Sequence, residues 1–171
     1  MRTQLSTEET LQEDFWESFS ELIQCYQNEP PKIERCLDDE IEANMTSIIG
    51  LSCPEFSASV ALVTSADAAL KLANVTPECI PDWLGELANQ LGGRFKNKLA
   101  NYGVLPHLST PTTVEGRYIQ LSSTSAKTFA LTAHFDGGSA IAQITLKIDD
   151  DLELNECVST PASEEGSLEL F

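Results

Sequence analysis

The sequence predicts a layered α/β domain of the α+β kind, an antiparallel-rich sheet packed against two or three helices. Three observations lead there. Apolar residues recur at helical spacing over residues 13–27 and, in the longest such stretch, over residues 82–102. Short runs rich in β-branched residues, such as residues 57–64 (SASVALVT), fall between and after them. The turn Asp136-Gly137-Gly138 separates two further strand-like runs closely enough to make a hairpin, which pairs its strands antiparallel.

The elements follow in order. Residues 13–27 (EDFWESFSELIQCYQ) place Phe15, Phe19, Leu22, Ile23 and Tyr26 on one side of a helix, and Pro30-Pro31 stops it. Residues 40–51 (EIEANMTSIIGL) are strand-like, and so are residues 57–64. Ser65 is placed to cap a short helix over Ala66–Ala73. Pro77 and Pro81 bracket the entry to the long helix, and Gly103 stands where a left-handed C′ residue would. Beyond it, residues 104–109 read as extended, residues 117–121 (RYIQL) as a strand, and residues 128–135 and 139–148 as the hairpin. Residues 1–148 are expected to form one domain, and the acidic stretch 149–171 a mobile tail.

Bulk properties narrow the function. A chain of 171 residues with 10 basic and 27 acidic side chains carries a net charge of −17, which repels nucleic acid and anionic lipid. No apolar run reaches the roughly 18 residues of a membrane span. The first residues are acidic, without the basic start and apolar stretch of a signal peptide, so a cytoplasmic protein is expected. Five cysteines without a CxxC pair fit neither a disulfide framework nor a zinc site, and reduced thiols are expected.

The long helix carries the chemistry. Trp83, Leu84, Leu87, Leu91, Phe95 and Leu99 form a core-facing stripe, which leaves another face exposed. On that face Glu86 and Asn89 are neighbours on adjacent turns, and Gly93 follows on the same line. Gly92 and Gly93 each cost a helix about 1 kcal/mol relative to alanine, which calls for an offsetting close approach by this protein's own sheet or by another surface.

Asp82, Glu86, Asn89 and Pro111 reproduce a D/S-x3-E-x2-N-(about 22)-P pattern, and the stretch GELANQLGGRFKNKLANYGVLPHLSTPTTVEG with its lead-in TSIIGLSCPEFSASVALVTSADAALKLA resembles the CheC/CheX/FliY family of response-regulator phosphatases. The resemblance runs from about Phe15 to Ile148, and a single ExxN helix is most similar to the CheX type. It implies hydrolysis of the aspartyl phosphate of a CheY-like receiver domain. Asn89 would orient the attacking water, Glu86 would pair with the receiver's lysine, and Asp82, Gln90, Gly93, Arg94 and Asn97 would contact the receiver. No cofactor of its own is implied; Mg²⁺ would sit in the receiver, and a homodimer would form through sheet edges. The chain departs from the pattern at Gln90, where CheX-like proteins often carry an apolar residue, and in a short connection between Ala73 and Asp82. A binding or scaffold module without catalysis is the alternative.

Other constellations are weaker. Asp149-Asp150-Asp151 are consecutive and lack further ligands at loop or helix spacing. His107 and His134 stand alone, and neither GxSxG nor a glycine-rich phosphate loop after a strand is present.

Overall fold

In a computed structural model of the chain, the fold is described for residues 6–36, 44–116 and 127–155. Helix α1, Thr7–Gln24, begins six residues before the periodic segment, because Ser6 and Glu9 form a capping box that satisfies first-turn N–H groups. Strand β1, Lys32–Arg35, follows the proline pair. Strands β2, Met45–Cys53, and β3, Phe56–Thr64, form a hairpin, and α2, Ala66–Ala73, starts at its Ser65 cap. A 3-10 turn at Pro77–Cys79 leads into α3, Ile80–Ala100, with Pro81 in the first turn, where a missing N–H costs nothing.

Helix α3 ends in a Schellman motif. Gly103 has φ 76°, its N–H donates to Ala100 O at 3.0 Å, and Val104 N–H donates to Leu99 O at 3.1 Å. Strands β4, His107–Leu108, and β5, Thr112–Glu115, come next, then the hairpin of β6, Lys127–Phe135, and β7, Gly138–Ile148. Gly137, with φ 97°, turns it.

Among the described residues the sheet has seven strands in the order β1-β6-β7-β3-β2-β4, with β5 also on β2, and every pairing is antiparallel. Strands β4 and β5 pair with opposite ends of β2 and together act as one interrupted edge strand. The interruption, Ser109 to Pro111, puts the proline where no ladder hydrogen bond is required of it. It is anchored because Ser109 N–H donates to Gly50 O at 2.9 Å while Gly50 N–H donates to Ser109 Oγ at 2.9 Å.

The core lies between the sheet and helices α1 and α3. Leu11, Phe15, Phe19, Leu22 and Ile23 of α1 meet Leu84, Leu87, Leu91, Phe95 and Leu99 of α3, and Ile49, Leu51, Val60, Leu62, Leu131, Ala142 and Ile144 of the strands. Phe15 stands edge-on to both Phe95 (5.4 Å) and Phe129 (5.5 Å). On the opposite face of the sheet a small cluster joins Ala61 and Val63 to Ile48 and Ile141. Leu152 and Leu154, in the acidic stretch after β7, pack against the main core, and Thr7 Oγ1 donates to Leu152 O at 3.2 Å. The strand expected at residues 117–121, residues 40–43 of the expected β2 segment, and residues 156–171 lie outside the described residues. Strands β1 and β5 went unpredicted; each is four residues long, too short to show a period.

The seam between α1 and α3 is polar on its outer side. Lys98 Nζ reaches Glu17 (2.9 Å) and Glu21 (3.3 Å), and Arg94 lies 3.7 Å from Glu21. Nearby, Oδ2 of Asp14 is buried and has no hydrogen-bond partner among the described residues. Burial pushes the Asp14 carboxyl above the usual carboxylate range, with a Tyr102 hydrogen bond and Lys98 pulling it partly back. The folded protein therefore holds this proton to higher pH than the unfolded chain does. The resulting cost is present above the folded pKa and disappears as pH falls through it. Asp14→Asn is expected to raise the urea midpoint at neutral pH and to lose that advantage near the unfolded aspartate value of about 4; equal gains at both pH values would contradict a charged, strained Asp14.

Candidate active site

Helix α3 separates its apolar and polar residues by angle. At about 100° per residue, Asp82, Glu86, Asn89, Gly93 and Asn97 fall in one stripe roughly 80° wide, opposite the buried Leu84, Leu87, Leu91, Phe95 and Leu99. Asp82, Glu86, Asn89 and Asn97 are exposed, and Gly93 is half-buried.

Alongside this stripe runs an open groove of about 690 Å³. Pro81, Asp82, Gly85, Glu86 and Asn89 form its helical wall, and Leu108, Ser109, Thr110, Pro111 and Thr113 form the other. The interruption of the edge strand thus faces the ExxN pair, which brings Pro111 and Asn89 to one site across 22 positions of sequence. Thr113 pins the helix start to the sheet: its hydroxyl donates to Pro81 O at 3.2 Å and lies 3.2 Å from Ser47 Oγ.

Glycines set how closely the walls approach. A Cβ on Gly85 would stand 3.4 Å from Thr113 Oγ1, and one on Gly92 would stand 3.0 Å from Leu108 Cδ2 and 3.5 Å from Ile49. Gly92 therefore has an internal reason, tight seating of α3 on β2 and β4. Gly93 has none, since a Cβ there would meet nothing within 4 Å.

The side chains at the site differ in freedom. The Asn89 carboxamide and the Asp82 carboxylate make no hydrogen bond or ion pair among the described residues. Glu86 Oε1 accepts from Gln90 Nε2 at 3.4 Å, and Gln90 Oε1 accepts from the Tyr26 hydroxyl at 3.4 Å. Gln90 and Arg94 sit on the shoulder of the stripe toward α1, where Arg94 contacts Glu21 and Cys25. Five of the expected residues, Asp82, Glu86, Asn89, Gly93 and Asn97, thus share one open face, while Gln90 is engaged by Tyr26, just past the end of α1, and Arg94 by Glu21 within it. Gly85, Ser109, Thr110 and Thr113 were not foreseen; the one local signal was a glycine inside the helical run at position 85.

The groove offers two carboxylates, a carboxamide and three hydroxyls, and no thiol or imidazole. His134 lies elsewhere, 2.7 Å from Glu34. Among the described residues no group of three or more His, Cys, Asp or Glu could hold a metal, and no helix is long and apolar enough to cross a membrane.

No family model and no curated protein matches the sequence. Solved structures do. A CheC-like superfamily protein from Shewanella sp. PV-4 superposes with a TM-score of 0.70 at 19% identity, over 84% of this chain and 99% of its own. The chain has the CheX/CheC-like fold. Chemotaxis protein CheX from Vibrio vulnificus matches it with a TM-score of 0.70 at 18% identity, over 80% of this chain and 96% of its own. The CheX–CheY–BeF3–Mg²⁺ complex from Borrelia burgdorferi matches with a TM-score of 0.68 at 18% identity, over 80% and 97%. The antiparallel sheet with its helical layer agrees with the α+β architecture expected from the sequence.

In this CheX-like fold the glycine pair of α3 separates by substitution. Gly93→Ala is expected to raise unfolding free energy by about 1 kcal/mol, alanine's advantage over glycine inside a helix. Gly92→Ala should gain less or lose, because Leu108 must give way. Urea melts of both variants check this, and a larger gain at 92 than at 93 would contradict the packing.

Proposed function

We propose that this protein binds a phosphorylated CheY-like receiver domain and hydrolyses its aspartyl phosphate. The observation that carries the reading is the exposed Glu86 and Asn89 side by side on α3, facing Pro111 across an open groove. The CheX structure of similar fold from Borrelia burgdorferi is a complex with CheY and Mg²⁺, which supports a receiver domain as the partner. The Mg²⁺ of the reaction is expected in the receiver's own site.

The chemistry asks little of this chain. A water oxygen attacks phosphorus, the bond from phosphorus to the aspartyl oxygen breaks, and inorganic phosphate and a free carboxylate result. The transition state is loose, so positioning supplies much of the gain and no strong base is needed. The carboxamide of Asn89 can accept a hydrogen bond from the water through Oδ1 and donate through Nδ2. Glu86 is suited to a charge-assisted contact with the receiver's active-site lysine, which fixes the register of the two proteins. Asp82, Gly93 and Asn97 extend the docking face along the same stripe. Gly93, having no internal packing role, leaves room for the receiver to come close. The homodimer through sheet edges implied by the resemblance belongs to the same proposal.

Asn89→Ala is expected to slow phosphate release from a phosphorylated CheY-like receiver by about 100-fold, the scale of a lost positioning contact, while leaving binding of the receiver nearly unchanged. Catalysis by wild type at substoichiometric protein is the companion observation. If wild type binds the receiver without accelerating release, or if Asn89→Ala matches wild type, the chain is a binding module and the catalytic reading fails.

A further inference from the structure

The Glu86 carboxylate does not stand alone on its face. Gln90, one turn on, donates from Nε2 to Glu86 Oε1 at 3.4 Å, and Tyr26 donates from its hydroxyl to Gln90 Oε1 at 3.4 Å. Tyr26 lies just past the end of α1, where its N–H donates to Ile23 O at 3.0 Å and its ring stands edge-on to Trp83 at 5.8 Å. Both rings are partly buried against the core. The chain of contacts therefore runs from a fixed aromatic pair, through one amide, to one oxygen of a solvent-facing carboxylate.

The chemistry gives these contacts a single direction. A carboxylate can only accept, so the Gln90 amide must turn its NH2 toward Glu86, which leaves Oε1 for a donor on the other side. Tyr26 supplies that donor. An apolar residue at position 90 could do neither, so the departure from the resemblance pattern at Gln90 coincides with a partner for Glu86. The ion pairs of Arg94 with Glu21 and of Lys98 with Glu17 and Glu21 hold the rest of the same seam, so Tyr26 is carried on a helix end that is itself tied to α3.

We propose that Gln90 and Tyr26 are positioning residues for Glu86, holding one carboxylate oxygen so that the other is presented to the receiver's lysine. The assignment rests on the docking role given to Glu86 above. Its effect is preorganisation: a glutamate side chain on a helix surface otherwise samples several rotamers, and binding has to select among them.

Two variants test it. Tyr26→Phe removes one hydroxyl and keeps the ring against Trp83; Gln90→Met keeps the length and removes both polar atoms. With a phosphorylated CheY-like receiver as substrate, each is expected to raise KM about three- to tenfold, the range of one immobilised long side chain, with kcat within about twofold of wild type. In a Glu86→Ala background Tyr26→Phe should add nothing further. Without any receiver, the carbon-13 shift of the Glu86 carboxyl should move in both variants. A KM increase that persists without Glu86 would assign Tyr26 to helix packing and overturn the proposal, and so would an unmoved Glu86 carboxyl resonance. If wild type fails to accelerate dephosphorylation, the proposed function falls, while the carboxyl resonance still decides for or against the relay.

Discussion

The close seating of α3 on the β2 end of the sheet is the constraint on which the rest depends. Gly92 lets the helix backbone approach Leu108 and Ile49 without a side chain between them, and Gly85 does the same beside Thr113. An alanine at 92 would press on Leu108 Cδ2 at 3.0 Å, and a bulkier side chain there would lift the helix from the sheet. Its apolar stripe would then lose contact with Ile49 and Leu51, and the groove between α3 and the Ser109–Pro111 interruption would widen. A glycine inside a helix weakens it by about 1 kcal/mol, and burial of Leu84, Leu87, Leu91, Phe95 and Leu99 against the sheet offsets that cost.

The same seating divides the work of one helix between its faces. The buried face joins α1 and the sheet through Phe15, Phe95 and Phe129, a packed aromatic centre that leaves α3 little freedom to rotate. Because α3 is fixed in rotation, residues at offsets of three and four on the opposite side are fixed in direction. Asp82, Glu86 and Asn89 then face the groove as a consequence of core packing. The two carboxylates, the carboxamide and the three hydroxyls of the groove fit the proposed role of orienting a reaction supplied by a partner.

How much of this was legible in the sequence varied with the physics of each element. Helix α2 was legible to the residue, because Ser65 is a strong cap and its side chain accepts from Ala68 N–H at 3.1 Å. The end of α3 was legible in Gly103, whose left-handed conformation the Schellman motif requires. The start of α1 was missed although Ser6 and Glu9 spell a capping box, since the apolar residues read as periodic begin only at Phe15, and Leu11 alone precedes them in the helix. Strands β1 and β5 were missed because four residues cannot display alternation, and their pairing with β6 and β2 is a tertiary fact. The residues 149–154, acidic enough to read as tail, carry Leu152 and Leu154 onto the core.

The sequence by itself determined the two-faced helix. The spacing of Leu84, Leu87, Leu91, Phe95 and Leu99 dictates which side is buried, and so places Asp82, Glu86 and Asn89 together on the other, because helical geometry is local. Only the tertiary structure decided what stands across from them. Nothing local brings Ser109, Thr110 and Thr113 to the groove, separates the roles of Gly92 and Gly93, or carries Tyr26 to Gln90 across 64 residues. Those relations arise from strand pairing and helix seating, where each position is set by the packing of distant segments.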